Sequence, residues 1–208
     1  SAEIILHISN YHHRFGGTRY PILLGTPEQT STDQTWRLAL DVFLLGSLGF
    51  MALYHLAIYS IRRHGVAAFY FGLFALLLAL RSTVTGERLL VRAFPEMWWE
   101  VHIGLSYLTW YLGLPCFAAF VHRMFPQETP AYTEKFIGIV CLAFSLDVIL
   151  TAPASYLYRM PYFSAVTGTV ILYILILVWS AVRRGREGAA LFFASFVIFA
   201  AAIIHDLL

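Results

Sequence analysis

Six long apolar runs set the class of this chain. They cover residues 38–61, 66–84, 102–121, 136–152, 162–182 and 188–208. A helix rising about 1.5 Å per residue needs roughly 20 such residues to cross a hydrocarbon layer about 30 Å thick. Helices of a water-soluble domain keep a polar face, whereas these runs are apolar nearly all round, as lipid-facing helices must be. Apolar residues make up 59% of the chain and charged residues 12%, about half the usual charged share. The fold class expected is therefore an all-α polytopic membrane bundle with six transmembrane helices.

The charge excludes other classes. A net charge of +2, with no basic tract longer than Arg183-Arg184-Gly185-Arg186, does not suit a nucleic-acid partner. Cys116 and Cys141 lie inside apolar runs and read as small buried hydrophobes. No signal peptide is visible at Ser1-Ala2-Glu3, and the first residue is not Met. The chain is expected to begin inside a longer protein.

Residues 1–35 differ from the rest. Ile4-Ile5-Leu6-His7-Ile8 and Tyr20-Pro21-Ile22-Leu23-Leu24 are short β-type runs, with the turn signal Gly16-Gly17 between them. Two strands cannot bury a core alone. They read as the last strands of a β-domain, followed by a polar linker from Gly25 to Asp33. The expected division is 1–35 for this tail plus linker and 36–208 for the bundle. Between 85 and 100, charged and apolar residues alternate, so a short surface helix fits there. Pro153 and Pro161 are expected to bracket the turn after the fourth long helix, and Pro115 to kink the third.

Orientation is taken from the basic residues. With the N-terminus outside, the inner turns hold Arg62, Arg63, Arg123, Lys135, Arg183, Arg184 and Arg186. The outer side holds Arg14, Arg19, Arg37, Arg81, Arg88, Arg92 and Arg159. The totals tie, but the inner turns are shorter and denser in charge, and Arg14 and Arg19 lie far from any helix end. The N-terminus is placed outside. Six crossings then return Leu208 to the outside, so a seventh helix is expected beyond it before any cytoplasmic module.

Ionisable groups inside membrane helices are costly, and each asks for an account. Asp41, Arg81, His102, Asp147, His205 and Asp206 all fall in the outer half. Arg81, His102, Asp147, His205 and Asp206 are the candidates for ligand contact or for a switch. The plainer account has Arg81 paired with Asp147 or Asp206, or Arg81 and His102 reaching to the interface. His55 reads as a packing histidine. Intramembrane zinc would need His-x-x-x-His or a related spacing, which is absent, and no residue is assigned to a metal, a cofactor or catalysis. Trp36, Trp98, Trp99, Tyr156, Tyr158 and Tyr162 read as an interfacial belt, with a stacking surface for a ring-bearing ligand as the alternative. Gly46, Gly49, Gly104, Gly113, Gly168, Ala200 and Ala201 are the expected points of close helix approach. No internal repeat is evident, which counts against an inverted-repeat transporter.

The order of parts resembles a bacterial receptor family, the seven-transmembrane receptors with diverse intracellular signalling modules. The sharpest segment is Ser9-Asn10-Tyr11-His12-His13-Arg14 with Gly16-Gly17. The others are Leu53-Tyr54-His55-Leu56, the basic turn Arg62-Arg63, Ala79-Leu80-Arg81 and His205-Asp206. The resemblance runs over essentially the whole chain. It implies an outer jelly-roll-like domain, a seven-helix bundle and a cytoplasmic kinase, cyclase or phosphatase, hence two-component or cyclic-nucleotide signalling. It implies these partners: the bilayer, an extracytoplasmic small-molecule or carbohydrate ligand, and an effector module in cis. Such modules often dimerise, although no heptad seam marks a homodimer here. This chain itself would have no catalysis. A small-solute transporter or channel, an intramembrane metallohydrolase and a purely structural subunit are the alternatives.

Overall fold

The computed structural model describes residues 25–63 and 65–207. The expected β-runs at 4–8 and 20–24 lie outside these residues. The described residues form helices and turns with no strand: α1 Pro27–Ile61, α2 Val66–Val84, α3 Leu89–Ala93, α4 Trp99–Met124, α5 Ala131–Leu150, α6 Pro153–Arg183 and α7 Ala189–Leu207. Six are the long helices anticipated from the apolar runs, and α3 is the short surface helix. Among the described residues, α1, α2, α4 and α6 are long and apolar enough to span a bilayer. Helix α5 carries Glu134, Lys135 and Asp147, and α7 has a shorter apolar stretch, Ala189–Ala202.

Several helices are longer than their apolar cores. The stretch from Gly25 to Asp33, expected as linker, starts α1. Thr26 caps it: its Oγ1 accepts from Gln29 N at 3.3 Å, and Gln29 Oε1 accepts from Thr26 N at 3.1 Å. This reciprocal pair satisfies two backbone donors left over at a helix start. Pro27 fits the first turn, where no N–H is needed. The hydroxyls of Thr30, Thr32 and Thr35 donate to carbonyls four residues back, at 2.7–2.8 Å. Polar side chains thus serve the helix instead of breaking it.

The two prolines expected to bracket a turn behave differently from each other. Pro153 is in the first turn of α6, while Pro161 sits inside it. A proline at the start costs nothing, and the apolar packing on both sides of Pro161 carries the helix past one missing donor. Pro115 likewise lies within a continuous α4.

Helix α4 is the centre of the bundle. It packs against α2, α5 and α6, while α7 packs on α6 and α1 on α2. Tyr111, Phe117, Ala118, Val121, Cys141, Phe163, Ile174 and Val178 are buried in the core. Rings join the elements: Phe117 of α4 stacks on Phe196 of α7 at 5.3 Å, and Phe74 of α2 meets Phe117 at 4.9 Å and Phe199 at 6.3 Å. By contrast α1 buries only Ala52 among its described residues, and Phe43, Phe50 and Leu53 face outward. In a bilayer that face meets acyl chains, so its exposure carries no hydrophobic penalty.

Close helix approach occurs where the sequence did not mark it. A Cβ on Gly72 of α2 would come within 2.9 Å of Leu56 Cγ and 3.2 Å of the Ala52 carbonyl on α1. Gly46, Gly49 and Gly168 face open space, and Gly104 and Gly113 make ordinary contacts. A glycine forms a contact only if its face turns inward, and composition alone does not give the rotation of a helix. Ala200 is buried and Ala201 exposed.

Candidate functional site

The bundle has two polar ends. The entry end holds the start of α1, the finish of α2, the start of α4, the finish of α5, the start of α6 and the finish of α7. The other is the basic end, where the turns after α1, α4 and α6 lie.

At the entry end Asp41 projects from α1 onto the turn after α2. Its Oδ2 accepts from Glu87 N at 2.7 Å. Gly86 has φ +57°, and a Cβ there would lie 2.5 Å from Asp41 Oδ2. The carboxylate therefore needs a residue with no side chain beside it, and a left-handed backbone that glycine adopts freely. Arg88 follows at φ 53°, leading into α3, where Arg92 Nη2 donates to Glu87 Oε2 at 2.5 Å.

Arg81 reaches from α2 to α4. Its Nη1 donates to the Ser106 carbonyl at 2.6 Å, and its guanidinium lies 5.6 Å from the Trp110 ring centre. A planar cation suits both a carbonyl and an aromatic face. His102 is 8% exposed, and its Nδ1 has no hydrogen-bond partner among the described residues. Asp147 of α5 pairs with Arg159 of α6, and its Oδ1 and backbone carbonyl both face the Thr151 hydroxyl, which lies 2.7 Å from the carbonyl. Arg159, not Arg81, is thus the ion-pair partner of Asp147. The sequence could have suggested it: Asp147 and Arg159 flank one short helix–helix connection. His205 is exposed near the end of α7. Asp206 lies on the same helix, with its side chain outside the described residues.

The five candidates thus share one end but not one pocket. Arg81 and Asp147 hold two different seams, α2–α4 and α5–α6. Between these seams lies a group that sequence reading left in the belt or passed over. Tyr156 is 2% exposed and buried inside the bundle, whereas Trp36, Trp98, Tyr158 and Tyr162 are exposed as a belt requires. Tyr107 bridges Tyr111 and Tyr156, with ring centres at 6.0 and 5.7 Å. Tyr111 also packs on Phe163 at 4.0 Å. The hydroxyls of Tyr111, Tyr156 and Thr167 are buried and have no hydrogen-bond partner among the described residues. Groups of this kind usually find a protein or water partner.

The basic end holds a second set that the sequence did not single out. The Arg123 guanidinium grips Glu134 with two bonds, at 2.7 and 3.1 Å, and lies 5.4 Å from the Tyr70 ring centre. His122, 4% exposed, has Nδ1 at 3.6 Å from Glu134 and Nε2 at 3.4 Å from the Tyr173 hydroxyl. Glu128 lies in the turn between α4 and α5 and faces Arg184 and Arg186. His55 is a packing histidine: its Nδ1 lies 2.8 Å from the Met51 carbonyl, and its ring meets Phe71 edge-on at 4.7 Å. Among the described residues no group of three His, Cys, Asp or Glu side chains is placed to hold a metal ion.

The comparisons with known proteins fit this arrangement. A family model described as 7TM diverse intracellular signalling matches residues 37–208, the bundle almost from its first interfacial tryptophan onward. No curated protein and no solved structure matches the chain.

Proposed function

This chain belongs to the 7TM diverse intracellular signalling family, and on that premise we propose that it relays extracytoplasmic ligand binding to a cytoplasmic output module carried in cis. That the bundle is a multi-pass transmembrane sensory region follows from the family. The ligand, the relay and the orientation are the proposal. The observation that carries it is the family match across the whole bundle. The geometry supports it through the entry end, where Asp41, Arg81, Asp147 and Arg159 make the polar contacts between neighbouring helices and turns.

The ligand in this reading is a small molecule or carbohydrate, taken up by the outer β-domain or by the entry end itself. Arg81 and Asp147 hold adjacent seams, so a ligand that competes for either guanidinium or carboxylate would shift helix packing. A ligand acts only through its differential affinity for two arrangements. The buried hydroxyls of Tyr111, Tyr156 and Thr167 supply donors that a polar ligand or water could engage. Arg81, His102, Asp147, His205 and Asp206 remain the proposed contact or switch residues, now joined by Arg159. The N-terminus is outside in this reading, in a bacterial inner membrane. Among the described residues the basic end gathers Arg62, Arg63, Arg123, Lys135, Arg183, Arg184 and Arg186 in or beside its short turns, against Arg37, Arg81, Arg88, Arg92 and Arg159 at the entry end. That asymmetry favours a cytoplasmic basic end.

The test is a thermal-shift screen of the purified chain in nanodiscs against small molecules and sugars. A hit should stabilise the parent and lose most of its shift in Arg81→Gln or Asp147→Asn. Solute flux through proteoliposomes, with no ligand-dependent stabilisation, would replace the sensor with a transporter.

A further inference from the structure

The basic end joins its turns unusually. Glu128 sits in the connection between α4 and α5, where side chains ordinarily face water, yet its carboxylate is 3% exposed. It is covered by donors from another part of the chain. Arg184 Nη1 lies 2.9 Å from Oε2, Ser180 Oγ donates to the same oxygen at 3.2 Å, and Arg186 Nε lies 3.5 Å from Oε1. The last contact is a charge contact without hydrogen-bond geometry, since Oε1 accepts no bond from the described residues. Arg186 also donates to the side-chain amide oxygen of Gln127. Both arginines belong to the turn between α6 and α7. Gly185 at φ +66° and Gly188 at φ +72° flank Arg186, and Arg186 N donates to the Ala181 carbonyl at 3.1 Å. These left-handed glycines fold the turn so that Arg184 and Arg186 face one carboxylate.

We propose that Glu128 is a releasable latch, holding the α6–α7 turn against the α4–α5 turn and giving the basic end two discrete arrangements. The asymmetry of the contact argues for release. The arginine side chains are 59% and 40% exposed, so each can swing into water at little desolvation cost. Glu128 cannot stay where it is without them, because a buried lone carboxylate is strongly disfavoured. Opening therefore requires the α4–α5 turn to move as well, and that makes the change a step between two states rather than a gradual loosening. The α4–α5 turn can shift as a unit, since the Arg123–Glu134 pair ties together the two helix ends that flank it. Helix α7 would follow, because Phe192 at its start packs on Phe125 beside the latch, at 5.8 Å. The place of the latch in signal transfer rests on the sensory reading; the latch itself does not.

The experiment uses the whole chain in nanodiscs. Cys116→Ala and Cys141→Ala clear the background, and spin labels go on Pro126→Cys and Glu187→Cys, both exposed. The parent should give one narrow distance distribution. Glu128→Gln, and separately Arg184→Gln with Arg186→Gln, should each add a longer population at least severalfold above the parent. An unchanged distribution in both variants would overturn the latch. So would loss of the helical circular-dichroism signal in the arginine variants, which would make the contact a requirement for folding and not a releasable one. No ligand enters these measurements, so their failure and the failure of the sensory reading are separate results.

Discussion

Single side chains settle where helices meet. Gly72 touches α1 because anything larger would strike Leu56 and the Ala52 carbonyl. Gly72→Ala should cost about 1–3 kcal/mol, the usual range for overpacking a filled contact. Gly46→Ala, which faces open space, should change the melting temperature in detergent little. Equal melting of the two variants would mean that the α1–α2 seam is not where these contacts place it. Asp41 works in the same local way on the turn after α2. Asp41→Ala removes a charge-assisted acceptor from Glu87 N and should speed hydrogen exchange at that amide severalfold. The type of residue was plain in the sequence at both positions. Its partner was not, because a partner depends on which face of the helix turns inward.

The ends of the elements carry the next scale of information. Helix α1 begins ten residues or so before its apolar run, because Thr26 and Gln29 cap it reciprocally. Thr26→Ala should destabilise that start by about 1 kcal/mol, visible as faster amide exchange over the first turn while the apolar part is unaffected. The cap was legible as Thr-Pro-Glu-Gln, but a hydropathy reading weighs apolar runs and passes over it. The seam between α5 and α6 depends on Asp147 and Arg159. Arg159 is nearly half exposed and Asp147 mostly covered. Their coupling in a double-mutant cycle with Asn and Gln should be about 0.5–1 kcal/mol, as for other polar pairs in membrane bundles. A value near zero would show that solvent at this end screens the pair fully.

For the molecule as a whole, the two polar ends give a direct test of orientation. In the background lacking Cys116 and Cys141, Glu96→Cys should react with an impermeant maleimide on intact cells, and Glu187→Cys only after permeabilisation. The reverse pattern would turn the chain over and place the latch outside. The class of the fold was written in the sequence, because a hydrocarbon layer demands long apolar helices whatever their arrangement. The polar entry end was also visible, since residues at matching depths on successive helices can be read from position along each run. What the tertiary structure alone decided is the set of long-range partners: the Ser106 carbonyl for Arg81, and Arg184 and Arg186 for Glu128. Those pairings depend on helix rotation and on which helices are neighbours. Both are set by packing between segments far apart in the chain, to which a local pattern of apolar and polar residues is blind.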